Sequence, residues 1–315
     1  MNAVIYYKKT KPNPLIYQSI EKPIPKDDEV LVKVYSVSLN AADYRSMSMG
    51  IIPKNKIFGS DISGVIEEVG SSCHQFKVGD EVIGDLSAMG FGGLAEYTTA
   101  KESALILKPK HLSFDDASAI PMSGVTALQA LKNKGNIEIN QKVLIYGSGG
   151  GVGTFAVQLA KHFMAEVSVV CGPNNIELMK TLGATHIYNY QDINFKELKG
   201  KFDLILAING KNKLSLYRRM LSKNGTFVVV GGALSQLFKT MIFGPILSLT
   251  NKKMRVLAAK PNQEDLKYVA ELCSQKLIKP IIEQVVPLKD APQAMQYLRQ
   301  GHAKGKTVIK VYEHE

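Results

Sequence analysis

A run of glycines in the middle of the chain constrains its fold more than any other feature. Residues 147–153 read Gly-Ser-Gly-Gly-Gly-Val-Gly and follow a short apolar run, Lys142–Tyr146. From Val152 to Phe163, apolar residues recur at the period of one helix face. Glycines between a strand and a helix let the backbone turn sharply and approach a pyrophosphate, which the N–H groups of the helix N-terminus attract. The pattern predicts a dinucleotide-binding loop; the alternative is a turn without a ligand.

Strand-like and helical segments alternate from this loop onwards. Helices are predicted at 176–182 and 214–221. Six short apolar segments are predicted strands: Lys142–Tyr146, Glu166–Cys171, 186–190, Phe202–Ile208, 226–230 and 255–259. Strands that alternate with helices form a mostly parallel sheet with both faces covered. Six strands in this rhythm match a complete doubly wound, dinucleotide-binding Rossmann fold.

The first part of the chain has a different character. Short segments rich in β-branched residues, separated by Gly, Pro and Asp, occur at 1–7, 29–39, 64–69, 78–84 and 95–99. Many short strands with glycine turns predict a barrel-like β domain.

The character changes again after Pro261. Helices are predicted at Gln263–Ser274 and Ala291–Arg299, and a closing strand at 307–311. We therefore expect an α/β protein with a β domain at 1–119, a Rossmann domain at 120–260 and a return segment at 261–315.

The end of the second Rossmann strand indicates which nucleotide binds. A carboxylate there would bind the ribose hydroxyls of NAD and repel the 2′-phosphate of NADP. Residues 169–175 read Val-Val-Cys-Gly-Pro-Asn-Asn, without an acid. This favours NADPH, although NADH is not excluded because no Arg or Lys stands there either. Asn174, Asn175 and Tyr190 could hydrogen-bond a phosphate.

Length and charge allow several classes of protein. The chain has 315 residues, enough for two domains. Its formal net charge is +11 and its pI about 9.3. A basic protein can bind nucleic acid, an anionic membrane or an acidic ligand, but the lysines are scattered, and a solvated surface is the simpler explanation.

Cysteine usage and hydropathy favour a cytoplasmic protein. The three cysteines cannot all pair, so no secreted disulfide framework is indicated. No apolar stretch approaches the roughly 20 residues that a membrane-spanning helix needs.

Several motifs together resemble the medium-chain dehydrogenase/reductase superfamily over essentially the whole chain. They are Asn-Ala-Ala-Asp-Tyr-Arg at 40–45, Gly-Ser-Asp-Ile-Ser-Gly at 59–64, Val-Gly-Asp-Glu-Val at 78–82, Gly-Gly-Leu-Ala-Glu-Tyr at 92–97, Thr-Ala-Leu-Gln-Ala-Leu at 126–131 and the glycine loop. Within it the chain is similar to the zinc-free quinone oxidoreductase branch, and most similar to the chloroplast envelope quinone oxidoreductase homologues and fruit enone oxidoreductases. Leu-Ser at 86–87, Cys-Gly at 171–172, Asn-Ile-Glu at 175–177 and the segment 301–306 carry the closer match.

The resemblance implies a GroES-like β domain and NADPH-dependent hydride transfer to quinones or α,β-unsaturated carbonyls. It implies catalytic roles for Tyr44, as a phenol donor to the developing oxyanion, and for Asn40; a cleft-wall aromatic and a backbone anchor are the alternatives. Asp43 is expected to fix local structure. The residues expected to bind the cofactor are Asn40, Thr126, Gly149, Gly150, Gly151, Val152, Cys171, Gly172, Asn174, Asn175, Tyr190, Asn209, Gly231 and Leu257.

No metal is expected. Zinc-dependent relatives place a Cys where this chain has Asn40 and a His where it has Ser60, and they carry a Cys-rich lobe that is absent here. A catalytic zinc needs about three protein ligands, and the six histidines are dispersed.

Three questions stay open in the sequence. Segment 235–253 is apolar with basic edges and is interpreted as a lid or a dimer contact, with a membrane-surface helix as the alternative; Gly244 and Pro245 are expected to interrupt any long helix there. A homodimer is expected from the resemblance and from a candidate edge strand at 255–259. The rival function is a nucleotide-binding scaffold or RNA-binding protein with little catalysis.

Overall fold

The computed structural model describes residues 1–10, 14–210, 212–232, 234–248, 251–301 and 303–312, without the side chains of 234–237, 246 and 247. The chain forms two compact units. Unit 1 comprises Met1–Val125 and Pro261–Glu315, and unit 2 comprises Thr126–Lys260. Two of the six histidines, His302 and His314, lie outside the described residues.

Short strands dominate the first segment of unit 1. The strands are β1 (Asn2–Tyr6), β2 (Leu15–Ser19), β3 (Val30–Ser38), β4 (Asp61–Val69), β5 (Glu81–Asp85), β6 (Tyr97–Ala100) and β7 (Leu105–Leu107). The helices are α1 (Ala41–Ser48), α2 (Phe114–Ser118) and the start of α3 (Pro121–Leu128). From Thr126 onwards α3 belongs to unit 2, as does the π-helix that continues it over Gln129–Lys134. Three 3-10 turns occupy Lys54–Lys56, Ser87–Met89 and Glu102–Ala104.

Unit 2 alternates strands and helices. Its strands are β8 (Lys142–Tyr146), β9 (Glu166–Cys171), β10 (His186–Asn189), β11 (Phe202–Ile208), β12 (Leu221–Val230) and β13 (Lys253–Leu257). Its helices are α4 (Gly151–His162), α5 (Ile176–Thr181), α6 (Leu214–Met220) and α7 (Leu234–Leu247), with 3-10 turns at Pro173–Asn175 and Phe195–Leu198.

The chain returns to unit 1 through four elements. These are α8 (Gln263–Ser274), β14 (Ile282–Pro287), α9 (Ala291–Arg299) and β15 (Lys306–Lys310), with a 3-10 turn at Leu288–Asp290. Strand β15 pairs with β3 antiparallel, so the last strand of the chain completes the sheet of the first segment.

The sheets confirm the predicted fold class. In unit 2 the strand order is β10-β9-β8-β11-β12-β13, and every described pairing is parallel, as in a doubly wound sheet. In unit 1 the strand order is β14-β15-β3-β4-β5-β7, with β6 also paired to β3. The apolar residues of β3 and β4 are buried almost continuously, because side chains from both sheet faces pack into the unit's interior.

Strands β2, β7 and β14 and helices α1, α2 and α3 were not predicted, and the predicted elements differ from the observed ones mainly at their ends. Strand β13 begins two residues earlier than predicted, and β5 begins only at Glu81. Val78 and Gly79 form a turn instead, in which Gly79 has a φ of 91°, a left-handed conformation that glycine adopts without strain.

Candidate functional site

The glycine loop at 147–153 lies where β8 ends and α4 begins, next to the point at which the strand order of the sheet reverses. This is the place where doubly wound sheets bind nucleotides. Gly147 has a φ of 84°, and a Cβ at this residue would lie 2.0 Å from the carbonyl oxygen of Ile208. A Cβ at Gly153 would lie 2.5 Å from the Ser148 carbonyl oxygen. Both glycines are therefore required by the local packing of the loop.

Gly150 has no such structural requirement. It is the N-cap residue of α4, and a Cβ built there would meet nothing within 4 Å. No side chain caps the helix at this end, so its first N–H groups face open space. Such an N-terminus can accept a phosphate closely, and a pyrophosphate fits this cradle.

Asn175 supplies a further polar group beside the loop. A Cβ at Gly149 would lie 2.5 Å from Asn175 Nδ2, so the amide closely approaches the loop. Its Oδ1 is buried without a hydrogen-bond partner among the described residues, whereas the Ser148 hydroxyl interacts with the Cys171 thiol. A buried acceptor normally has a partner, and a donor such as a ribose hydroxyl would satisfy this oxygen.

The other predicted cofactor residues of unit 2 lie mostly at the same edge of the sheet. Cys171 and Gly172 follow β9, and the Tyr190 ring packs on Gly172, where a Cβ would lie 3.0 Å from Tyr190 Cε1. Asn209 follows β11 with a φ of 57°, Gly231 follows β12 and Leu257 ends β13. Because the carboxyl ends of parallel strands share one edge, the structure brings these residues together with the glycine loop. Thr126 lies apart from this edge, on α3.

Asn174 and Asn175 stand in the 3-10 turn after β9, where the second nucleotide ribose is expected. Asn174 is exposed, and so is about half of Tyr190. The turn contains no acid that would repel a 2′-phosphate.

In unit 1, Asn40 is the N-cap residue of α1 and is buried. Its backbone N–H donates to Asp43 Oδ2 at 2.7 Å, and Asp43 Oδ1 accepts the Gly59 N–H at 3.1 Å. Asp43 thus fixes the first turn of α1 against the loop before β4. The side-chain Nδ2 of Asn40 donates to the Ser38 carbonyl at 3.3 Å and to Ser60 Oγ at 3.2 Å.

The remaining oxygen of the Asn40 amide accepts a hydrogen bond from a buried lysine. Lys306 Nζ lies 2.6 Å from Asn40 Oδ1, 3.3 Å from Ser123 Oγ and 3.4 Å from Asp61 Oδ2. Both oxygens of Asp61 also accept the backbone N–H of Met122 in the first turn of α3. The cluster joins β15, α1, β4 and α3 within unit 1.

Burial shifts the protonation of the acids in this cluster. Desolvation raises the pKa of Asp43 to about 6 and the pKa of Asp61 to about 7. It also raises the pKa of Asp85, whose Oδ1 accepts the Ser87 N–H. For Lys306, desolvation lowers the pKa below its usual 10.5, and the three carboxyls partly offset this effect. These acids therefore hold protons more readily than exposed carboxyls.

Tyr44 lies in α1, one residue after Asp43. It is half-buried, packs against the core of unit 1, and has the Arg45 guanidinium 5.7 Å from its ring centroid. No described residue hydrogen-bonds its hydroxyl, which leaves that O–H available as a donor.

The residues at this place do not fit a zinc ion. Asn40 and Ser60 supply an amide and a hydroxyl where zinc-dependent relatives supply a thiolate and an imidazole, and the Lys306 ammonium already occupies the amide oxygen. Within the described ranges, no group of three or more His, Cys, Asp or Glu side chains is arranged to hold a metal.

Segment 235–253 contains most of α7. The expectation that Gly244 and Pro245 interrupt a helix here is wrong, because α7 runs through both and ends at Leu247. A Cβ at Gly244 would lie 3.0 Å from the Met254 carbonyl oxygen, so glycine lets the helix approach β13, and Pro245 lies in the last turn. Phe238, Met241, Ile242 and Phe243 are each more than half exposed. Leu249 and Thr250 lie outside the described residues.

Neither α7 nor any other helix in the described part of the chain is long and apolar enough to cross a membrane.

Sequence reasoning did not single out four members of the unit 1 cluster: Asp61, Asp85, Ser123 and Lys306. Asp61 and Lys306 stand inside motifs used for the resemblance, but a charged residue at a strand end is usually exposed. The only signal was an acid in the otherwise small and apolar segment 59–64.

Two protein-family models match this chain, one within the first segment of unit 1 and one that includes part of unit 2. The alcohol dehydrogenase GroES-like domain family matches residues 26–110, and the zinc-binding dehydrogenase family matches residues 182–309.

Individual relatives match over almost the whole chain. The chloroplast envelope quinone oxidoreductase homolog of Arabidopsis thaliana is 31% identical over 94% of this chain and 94% of its own length. The 2-methylene-furan-3-one reductase of Solanum lycopersicum is 32% identical over 92% of this chain and 74% of its own length. The solved structure of the quinone oxidoreductase from Coxiella burnetii superposes with a TM-score of 0.89 at 28% identity, covering 99% of each chain. The chain therefore belongs to the medium-chain dehydrogenase/reductase superfamily, in its quinone oxidoreductase branch.

Proposed function

We propose that this protein is an NADPH-dependent reductase that transfers hydride to quinones or to α,β-unsaturated carbonyls. The observation that carries the proposal is the glycine cradle at 147–153, where α4 begins without a side-chain cap at the carboxyl end of β8 in the parallel sheet. The family relatives named above are a quinone oxidoreductase homolog and an enone reductase.

NADPH, when bound, supplies a hydride from its nicotinamide ring. In our proposal unit 2 holds it: the α4 N-terminus binds the pyrophosphate, and Asn174, Asn175 and Tyr190 bind the 2′-phosphate. The remaining nucleotide contacts come from Thr126, Gly149, Gly150, Gly151, Val152, Cys171, Gly172, Asn209, Gly231 and Leu257.

The residues of unit 1 act on the acceptor. Addition of hydride to the β-carbon of an enone, or to a quinone, leaves negative charge on the acceptor oxygen. Tyr44 donates its phenolic O–H to this oxygen, which stabilises the charge and supplies a proton. The Asn40 side-chain amide donates to Ser38 and Ser60 and accepts from Lys306, so in this proposal Asn40 acts by holding the first turn of α1.

An electron-poor conjugated acceptor suits a site of this composition. Reduction of a simple ketone benefits from a strong Lewis acid, and the donor set around Asn40 does not fit a zinc ion. A conjugated carbonyl needs less polarisation, so a phenol donor and correct orientation suffice. We therefore propose zinc-independent reduction.

We also propose that the protein is a homodimer and that it is cytoplasmic. Strand β13 is an edge strand of the sheet, and α7 exposes four large apolar side chains beside it; a homodimer would cover both. The three described cysteines are unpaired and buried, which suits the reducing cytoplasm.

A spectrophotometric assay tests the activity directly. Purified protein is mixed with NADPH or NADH and a panel of quinones, enones, enals, simple ketones and alcohols, and oxidation of the nucleotide is followed by its absorbance. We expect turnover with conjugated acceptors, faster with NADPH, and none with simple ketones. Nucleotide binding without turnover on any acceptor would instead support the rival scaffold function, which the relatives' names do not favour.

A further inference from the structure

The most unusual group in unit 1 is the side chain of Lys306. It enters the unit from β15, at the end of the chain, and only 2% of the residue is exposed. Lysine is almost never buried to this degree, because its ammonium must lose its hydration. Three side-chain oxygens compensate for this loss, so the cation is built into the cluster around Asn40.

The partners of Lys306 match an ammonium. Its three N–H groups have three oxygens within reach, on Asn40, Ser123 and Asp61, and the shortest contact by far is to the neutral Asn40 amide. An ion pair alone would place the carboxylate of Asp61 closest. The geometry therefore directs the positive charge towards Asn40.

The hydrogen bonds from Lys306 run in one direction. Lys306 donates to Asn40 Oδ1, and Asn40 donates through Nδ2 to Ser60 Oγ. Donors aligned in this way polarise one another. The Asn40 backbone N–H in turn binds Asp43 in the first turn of α1, one residue before Tyr44.

We propose that Lys306 is a positioning residue for the reductase reaction, whose fixed positive charge holds the Asn40 amide and with it the turn of α1 that presents Tyr44. The proposal rests on the proposed function.

The charge of Lys306 responds to pH. The groups that face it are Asp61 on β4, Asp43 on α1 and Asp85 on β5. Desolvation lowers the pKa of Lys306 below 10.5, so the ammonium is lost as the pH rises through that lowered value. We therefore expect kcat to fall at high pH, and we assign this alkaline limb of the pH–rate profile to deprotonation of Lys306.

The test compares Lys306→Met with Lys310→Met, which removes a half-exposed lysine from the same strand. We expect Lys306→Met to lower kcat at least about tenfold with NADPH and a good enone and to abolish the alkaline limb. Lys310→Met should keep both. A Lys306→Met protein that keeps kcat within about twofold, or that keeps the limb, overturns the assignment.

Circular dichroism checks that each variant folds. If Lys306→Met does not fold, Lys306→Arg gives the decision, because a guanidinium stays protonated to higher pH. The alkaline limb of kcat should then move to higher pH. A limb that stays at the wild-type pH contradicts the positioning role of Lys306.

A second readout does not depend on activity. The side-chain ¹⁵N signal of Asn40, assigned with Asn40→Ala, should titrate along the alkaline limb in the wild type and lose this titration in the folded Lys306 variant. If the Asn40 signal does not change over the pH range of the alkaline limb, the proposed link between Lys306 and Asn40 is wrong. A wild type that reduces no acceptor but shows this titration would contradict the proposed function while keeping the link between Lys306 and Asn40.

Discussion

At the scale of single residues, burial decides the charge of the acids in unit 1. Asp43 and Asp61 are fully buried and accept backbone N–H groups, yet loss of hydration outweighs these bonds and raises the pKa of both. The free energy of unfolding must therefore depend on pH in a direction opposite to that of an ordinary salt-bridged carboxylate.

Asp43 gives a test of this direction. Between its unfolded pKa of 3.8 and its folded pKa of about 6, the folded protein holds a proton that the unfolded chain has released. The stabilisation due to Asp43 is thus complete below the lower value and is lost as the pH rises through the upper one. We expect the difference in unfolding free energy between wild type and Asp43→Asn to fall by up to about 1.4 kcal/mol per pH unit in this window. Urea unfolding at several pH values measures it, and a difference that grows with pH would contradict the prediction.

Tyr44 gives the second prediction at this scale. Tyr44→Phe removes the proposed donor and keeps the ring that packs against the core of unit 1. We expect kcat on an enone to fall roughly tenfold to a hundredfold, with unchanged NADPH binding. Tyr17→Phe on β2, where the side chain is exposed, is the matched control. Unchanged kcat and KM in Tyr44→Phe would remove the role assigned to this phenol.

At the scale of elements, two glycines of the loop at 147–153 have different roles: the fold requires Gly147, whereas Gly150 leaves room for the proposed ligand. Gly147→Ala places a Cβ 2.0 Å from the Ile208 carbonyl oxygen at a φ of 84°, so we expect it to lower the unfolding free energy by more than about 2 kcal/mol. Gly150→Ala meets no described atom within 4 Å and should leave stability nearly unchanged. Its methyl group would occupy the space proposed for the pyrophosphate and weaken NADPH binding roughly tenfold. Thermal unfolding and nucleotide fluorescence measure the two effects, and equal NADPH affinity in Gly150→Ala and wild type would contradict the proposed cradle.

The turn after β9 should set the choice of nucleotide. Asn174→Asp adds a carboxylate to an exposed position of this turn, where it would repel a 2′-phosphate and accept a ribose hydroxyl. We expect kcat/KM for NADPH to fall about tenfold while the value for NADH stays level or rises. Asn140→Asp, at an exposed residue before the amino end of β8, is the control. A parallel loss with both nucleotides would show that the turn does not recognise the phosphate.

At the scale of the whole molecule, the last strand of the chain completes a site begun by the first segment. Strand β15 brings Lys306 to Asn40, which is 266 residues away in sequence. In this contact an ammonium binds the amide oxygen of Asn40, so the donor set there does not suit a zinc ion.

Metal analysis tests this arrangement on the intact protein. We expect well below one zinc per chain after dialysis and unchanged reductase activity after treatment with a strong chelator, because amide and hydroxyl groups beside an ammonium bind zinc weakly. Stoichiometric zinc whose removal abolishes activity, and whose return restores it, would contradict zinc-independent reduction.

The sequence by itself determined the fold class and predicted the residues of the nucleotide site. Residues 147–153 and the apolar segments around them carry local signals of strand, glycine turn and helix, and the parallel sheet places every strand end at one edge. The ends of β5 and β13 and the course of α7 through Pro245 were missed, because neighbouring elements override local preference at such positions.

Only the tertiary structure revealed the buried cluster of unit 1. The cluster around Asn40 joins residues from α1, β4, α3 and β15, and no local pattern reveals that the acids and the lysine among them are buried together. Burial gives these groups their shifted pKa values and their fixed partners, and burial is a property of the packed chain rather than of any segment of it.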